Sequence, residues 1–286
     1  MKQNNADYQV VPYPRLRRWL AAAFRSTQYK PMIHGLIEVD VSRARAFLRE
    51  HKAKTGESLS FTAFVIACLA QAVDEHKDMQ AFRKGSKHLI LFDEVDVATQ
   101  VERDVSGQKQ VINYTIRAAN RKTFREIHHE IRAAQREEVI KASESFKAFL
   151  SLPTILFKPL FWVFSWIIRA YPQVQKKYWG TVGISSVGMF GKGAGWGIPP
   201  ATPTLMITLG GIGEKPGVVD GHIAIREYLS ITISFDHDII DGAPAARFTQ
   251  RLKELIESGY GLNDPMVESE QTIAAETSKK TSSGTY

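Results

Sequence analysis

Apolar and polar positions along this chain alternate in short segments and recur at helical spacing in longer ones. Gly35–Val41, His88–Phe92, Val95–Val101, Val111–Ile116, Thr181–Val187, Thr204–Ile212 and Leu229–Phe235 read as strands. Asp93-Glu94 would join the second and third of these tightly. Asp220-Gly221, between Val218 and Ile225, is a strong hairpin signal. Helical spacing covers Arg15–Phe24, Ser42–Lys54, Phe61–His76, Thr123–Ala142 and Ala243–Ser258. Ser60 is placed to cap the third of these, whose apolar residues run over more than one stripe, as expected of a core helix. Strands and helices come in mixed order, with no internal repeat and no break into two domains. The expected fold class is therefore α+β, a mixed sheet packed by helices.

Two stretches stand apart from this pattern. Ala148–Ile168 is apolar and long enough to cross a bilayer, yet Pro153, Lys158 and Pro159 interrupt it. The expectation is a short helix lying on a membrane surface or packed into an oligomer interface. From Asn263 onward the chain is polar, and residues 263–286 read as a disordered tail, as residues 1–14 read as an extension. One domain over 15–262, with an apolar insertion at about 146–172, remains.

Composition narrows the chemistry. Cys68 is the one cysteine among 286 residues, which excludes an intrachain disulfide and a cysteine metal cage. His128-His129 lies mid-helix, where adjacent side chains are expected to diverge, so no metal is expected. Lys and Arg outnumber Asp and Glu by 37 to 30, a net charge of +7 that suits anionic partners. The cations are dispersed rather than interleaved with aromatics, which argues against nucleic acid. No signal peptide is read at the N-terminus, giving a cytoplasmic expectation, with membrane association through 148–168 as its qualification. The glycine-rich Gly191–Gly195 has no strand–loop–helix context and by itself reads as a mobile loop.

The sharpest local feature is Ser234-Phe235-Asp236-His237-Asp238-Ile239-Ile240-Asp241-Gly242. Leu229, Ile231, Ile233 and Phe235 alternate with Ser230, Thr232 and Ser234, and His237 continues the apolar phase where the strand ends. This predicts a neutral imidazole at the mouth of a buried surface, able to take a proton from a thiol or hydroxyl. Asp241, after Ile239 and Ile240, reads as a partly buried carboxylate needing a paired cation. A strand-end histidine followed by a helix-capping aspartate, with no chemistry, would produce the same letters.

HDIIDG resembles the H-x-x-x-D-G signature of the acyltransferase catalytic domain of 2-oxo acid dehydrogenase complexes, whose fold is shared with chloramphenicol acetyltransferase, a two-layer sandwich. Further segments are similar to that family in the same order. They are Leu16–Ala21, Pro31–Asp40, Ser58–Phe64, Gly180–Gly191 (GTVGISSVGMFG), Pro203–Gly213 and Asp236–Leu255. The resemblance implies a freestanding acyltransferase moving an acyl group between a thioester and a thiol or other acceptor. His237 would be the general base, Ser185 would support the oxyanion, and Asp241 would organise the site through a salt bridge, with Arg17 as candidate partner. It also implies coenzyme A or acyl-coenzyme A as substrate, a lipoyl group carried in trans by another protein, and a homotrimer or multiple of trimers with the site between subunits.

Three departures from the family pattern are visible. Asp238 stands where the family usually has arginine, and with Asp236 it would favour imidazolium at His237 unless solvent or a cation screens the pair. Gly107–Tyr114 (GQKQVINY) lacks the family's G-L-x-x-P-V. The apolar stretch 148–168 replaces a short polar approach. These departures leave a rival reading: a non-catalytic acyltransferase-like scaffold or membrane-associated interaction protein.

Overall fold

The computed structural model describes residues 11–14, 17, 21, 30–105, 108–136, 171–188, 191, 193–200 and 203–262. The apolar stretch Ala148–Ile168, the tail from Asn263, most of Arg15–Phe24 and the Thr123–Ala142 helix beyond Arg136 lie outside the described residues.

A six-stranded mixed sheet forms the frame, in the order β1 (Met32–Asp40), β8 (His222–Asp236), β7 (Leu205–Val219), β6 (Val182–Ser186), β4 (Val97–Val105), β5 (Gln108–Ile116). β6 runs parallel to both of its neighbours, and the other pairs are antiparallel. One face of the sheet is apolar. Val97, Val182, Ile184, Leu205, Ile207, Leu229, Ile231, Ile233 and Phe235 are buried there against the helices. These are α1 (Ser42–Thr55), α2 (Phe61–Glu75), α3 (Phe124–Arg136) and α5 (Gly242–Ser258), with a short α4 (Pro172–Trp179) preceding β6. Ser60 caps α2 by accepting from the Ala63 N–H (3.2 Å), as its position predicts. Ten residues of α2 are buried, so it is the core helix its all-round apolar pattern calls for. The α+β expectation holds.

The chain departs from its sequence pattern in three places. His88–Ile90 (β3) pairs with Phe82–Lys84 (β2) in a separate hairpin rather than with Val97–Val105. The basic run Arg83-Lys84 hides β2 from an apolar count. β7 and β8 each extend to 15 residues, because their outer halves form a ribbon projecting past β1 and β6. Asp220 (φ 49°) and Gly221 (φ 79°) turn that ribbon, both left-handed as a two-residue type I′ turn requires. Finally, the glycine-rich segment is seated on the sheet. Gly195 bridges to Gly211, its N–H donates to Ser230 Oγ (3.3 Å), and the Trp196 indole N–H reaches the Ile37 carbonyl (3.1 Å). The expectation of a mobile loop is corrected, since Gly210 and Gly211 let the two backbones touch where a Cβ on the β7 side would not fit.

Candidate active site

β8 ends at Asp236, and the chain turns there over a fixed set of hydrogen bonds. The Asp236 carbonyl accepts from the Ile239 and Ile240 N–H groups (3.0 and 2.9 Å), and its Oδ1 accepts from the Asp238 N–H (3.1 Å). The His237 N–H donates to the Pro31 carbonyl (2.7 Å), tying the turn to the start of β1. The His237 side chain is exposed, which corrects the expected buried mouth. The strand's alternation stops at Asp236, so the apolar phase no longer dictates where position 237 points. Asp241 is also exposed, at the N-cap of α5, while Ile240 turns into the core. The expected partly buried, cation-paired carboxylate is thus corrected for the single chain. Arg17 is exposed too, and among the described residues the two form no ion pair.

The carboxylates beside His237 each meet a cation. Lys30 Nζ lies 2.8 Å from the buried Asp236, and Arg83 Nη1 lies 2.8 Å from Asp238 Oδ2. Sequence reasoning required a screening cation without locating it. Arg83 sits on β2, over 150 residues away in the chain, and no local spacing reveals it.

Ser185 lies on the sheet face opposite the helices, because it alternates with core-facing Ile184. It is buried, and its hydroxyl donates to Gln100 Oε1 (3.0 Å). In register it stands beside Thr208, which stands beside Thr232. The hydroxyls of both threonines are buried without a hydrogen-bond partner among the described residues. His237 follows Thr232 by five residues. At about 3.3 Å per residue and about 4.8 Å between strands, Ser185 and His237 of one chain stand roughly 19 Å apart. Joint action on one reacting carbon needs contacts of about 3 Å. A site using both residues must draw them from two copies of the chain.

A cavity of ≈ 550 Å³ opens where β4 and β6 part after a two-residue pairing. The N-terminus of α2 (Ser60, Phe61, Thr62), Arg45 of α1 and Arg132 of α3 line it, with Gly188, Gly191, Gly193 and Gly210 on the facing wall. Arg45 is paired there with Glu227 (2.8 Å), Arg132 donates to the Ser58 carbonyl (2.9 Å), and Glu102 also lines the cavity. Its polar wall is thus a helix N-terminus with two guanidinium groups that already have partners. Gln100, which accepts from Ser185, is among the residues lining this cavity. Cys68 is buried within α2, where burial pushes its thiol well above the ordinary range and leaves it unreactive.

Behind the cavity, His128 and His129 do not diverge as expected. Their ring centroids are 5.3 Å apart, and with Glu57 they could surround an ion. The hydrogen bonds argue for another use. The Ser60 N–H donates to His128 Nδ1 (3.0 Å), so the neutral ring carries its proton on Nε2, facing Glu57 Oε1 at 3.4 Å. Glu57 also accepts from Arg125 (2.8 Å) and meets His51 Nε2 (3.1 Å). The cluster fastens α3 to the start of α2. Burial holds the His128 imidazole down to about 4 despite the nearby carboxylate. Its unfolded value is near 6.5, so only the unfolded chain takes up this proton as pH falls through that window. Stability is therefore complete above about pH 6.5 and declines below it. The loss from this group should be about 2 kcal/mol between pH 8 and pH 5. Urea unfolding of wild type and His128→Gln at both pH values checks this: the variant should lose correspondingly less, and equal losses would contradict it.

Residues 5–145 and 173–262 match the model of the family described as 2-oxoacid dehydrogenases acyltransferase (catalytic domain). The chain belongs to that family. The unmatched interval contains the apolar stretch 148–168. The chain is 23% identical over 259 residues to the lipoamide acyltransferase component of the branched-chain alpha-keto acid dehydrogenase complex of Bacillus subtilis, covering 88% of this chain and 53% of that protein. Over 93 residues it is 42% identical to the dihydrolipoyllysine-residue acetyltransferase component of the pyruvate dehydrogenase complex of Zymomonas mobilis, covering 32% of this chain and 20% of that one. The chain thus spans about half or less of the curated relatives' length. Among solved structures, the dihydrolipoamide acetyltransferase of Azotobacter vinelandii superposes with a TM-score of 0.66 at 22% identity, over 92% of this chain and 96% of that one. That protein was investigated for the role of a serine, a histidine and an asparagine in its catalytic mechanism. The acyltransferase family therefore accounts for the fold. Among the described residues no helix is long and apolar enough to cross a membrane.

Proposed function

We propose that the chain transfers an acyl group between coenzyme A and a thiol, a dihydrolipoyl group borne by another protein in particular, at a site formed between copies of itself. The observation that carries this is the pairing of family membership with an exposed, rigidly hinged His237 whose flanking carboxylates are both neutralised. His237 takes the proton from the incoming thiol, and the thiolate attacks the thioester carbonyl carbon. Negative charge collects on the carbonyl oxygen. Ser185 of the neighbouring copy redirects its single proton from Gln100 to that oxygen. When the intermediate collapses, the carbon–sulfur bond to the leaving thiolate breaks, and the imidazolium returns the proton. A thiol of ordinary pKa near 8.5 is only a few per cent ionised at neutral pH, so a positioned base matters. The cavity at the N-terminus of α2 takes coenzyme A, with the pantetheine arm running past Gln100 to Ser185. Among the described residues of the single chain Asp241 meets no cation, so its organising role, with Arg17 as candidate partner, belongs to the assembly.

The non-catalytic scaffold reading rested on several departures from the family pattern, and for one of them, Asp238, Arg83 supplies the screening cation. Thiol release from acyl-coenzyme A in the presence of dihydrolipoamide tests the proposal. Release that depends on the acceptor and on His237 is expected, and its absence across a panel of acyl chains would refute the reading.

A trimer supplies the neighbour. Val218, Ile223 and Ile225, each at least 78% exposed, share one face of the projecting ribbon with Pro216, since Val218 pairs with Ile223 and Pro216 with Ile225. An apolar face left in water on a projecting ribbon fits contact with another copy. Ile223→Lys/Ile225→Lys should leave the fold intact, shift sedimentation from trimer toward monomer and abolish transfer together. An unchanged sedimentation coefficient would contradict this.

A further inference from the structure

The β2–β3 hairpin stands apart from the main sheet and is fastened beside His237 by the Arg83–Asp238 pair. From Phe82 to Phe92 it contains no acidic residue, while Arg83, Lys84, Lys87 and His88 are all exposed. Leu89 lies directly across from Arg83 and is 51% exposed, and Leu91 follows at 56%. Two solvent-facing leucines among three cationic side chains fit neither a buried strand nor a merely solvated loop. Leu89 shares one face of the hairpin with Arg83, and Lys84, Lys87 and His88 make the adjoining tip basic. A small apolar contact thus stands next to a positive end, a combination that suits a negatively charged protein surface.

We propose that this hairpin is the docking ridge for an acidic protein surface that presents the acceptor thiol to His237. The proposal rests on the acyl-transfer reading above. An acceptor carried on a protein must bring its carrier to the mouth of the site. The hairpin touches the histidine's own turn through the Arg83–Asp238 pair. Arg83 is already engaged by Asp238, so steering falls to Lys84 and Lys87, and contact falls to Leu89 and Leu91. Long-range attraction between such surfaces raises the rate of encounter and weakens with salt.

The test compares two acceptors with the full chain: a lipoylated carrier domain of net negative charge, and free dihydrolipoamide. Lys84→Glu/Lys87→Glu should raise KM for the carrier by about tenfold or more at low salt, with kcat and the rate on free dihydrolipoamide unchanged. The wild type's KM for the carrier should also rise with added salt, and the variant's should not. Equal effects on both acceptors, or no effect on the carrier, would overturn the proposal. Direct titration of the same carrier domain separates docking from chemistry. Wild type should bind it at least about tenfold more tightly than the variant even if no acyl group moves. Absence of wild-type binding would overturn the docking ridge, whereas a failure to acylate free dihydrolipoamide would count against the enzyme reading instead.

Discussion

Replacing His237 with alanine should lower the acyl-transfer rate by about 10²–10⁴-fold, the range a positioned general base contributes. The loss should appear in kcat rather than in the KM for acyl-coenzyme A, because the imidazole lies at the turn after Asp236 and the arginine-lined cavity lies beyond β6. The melting temperature should hold, since the side chain is exposed and the turn is built from the backbone and Asp236. Ser185→Ala should cost about 10²–10³-fold by removing one donor to the oxyanion. Steady-state thiol release, measured beside thermal unfolding, checks both. A His237→Ala protein as active as wild type would exclude the base, and a large fall in its melting temperature would show a structural role instead.

Gly210→Ala should have a large effect on folding, as should the same change at Gly188 and Gly211, where a Cβ also meets backbone. Gly210 and Gly211 lie where β7 breaks register with β8, between Leu209 and Ile212, and the carbonyl oxygens of Gly195 and Gly193 press against them. A Cβ at 210 would overlap the Gly195 carbonyl, which is backbone and has no flexible side chain to yield. Overpacking of this kind costs about 3 kcal/mol or more, a fall in melting temperature of roughly 6–12 °C for a domain this size. The seated segment should lift from the sheet, uncovering Ser230. A variant melting within about 2 °C of wild type would show that the segment does not depend on this contact.

The parts of the fold legible in the sequence are those where burial imposed a period. Leu229, Ile231, Ile233 and Phe235 show β8 plainly, and Ser60 with the apolar run behind it shows α2. The unreadable parts have little to bury. Arg83-Lys84 are exposed on a three-residue strand, and α4 is eight residues long with Pro172 its one buried member. Glu214, Lys215, Arg226 and Glu227 interrupt the apolar alternation of a ribbon that the sheet extends regardless. The site divides in the same way. His237, Ser185 and Asp241 stand out as candidates because a motif fixes their spacing. The cations that neutralise Asp236 and Asp238 were not, since Lys30 and Arg83 reach them across the fold. Extending the apolar phase of β8 by two residues also misplaced His237, because a turn resets the direction of every following side chain.

Ser185 and His237 of one chain stand too far apart to act on one carbonyl, and complementation between inactive variants tests this most directly. Ser185→Ala chains and His237→Ala chains, each nearly inactive alone, should be dissociated, mixed in equal amounts and reassembled. If each site takes its histidine from one copy and its serine from the next, about a quarter of the junctions in a random mixture pair two intact residues. Acyl transfer should then return to about a quarter of the wild-type rate. A reassembled mixture no more active than its two components would contradict the account and place both residues in the service of a single chain.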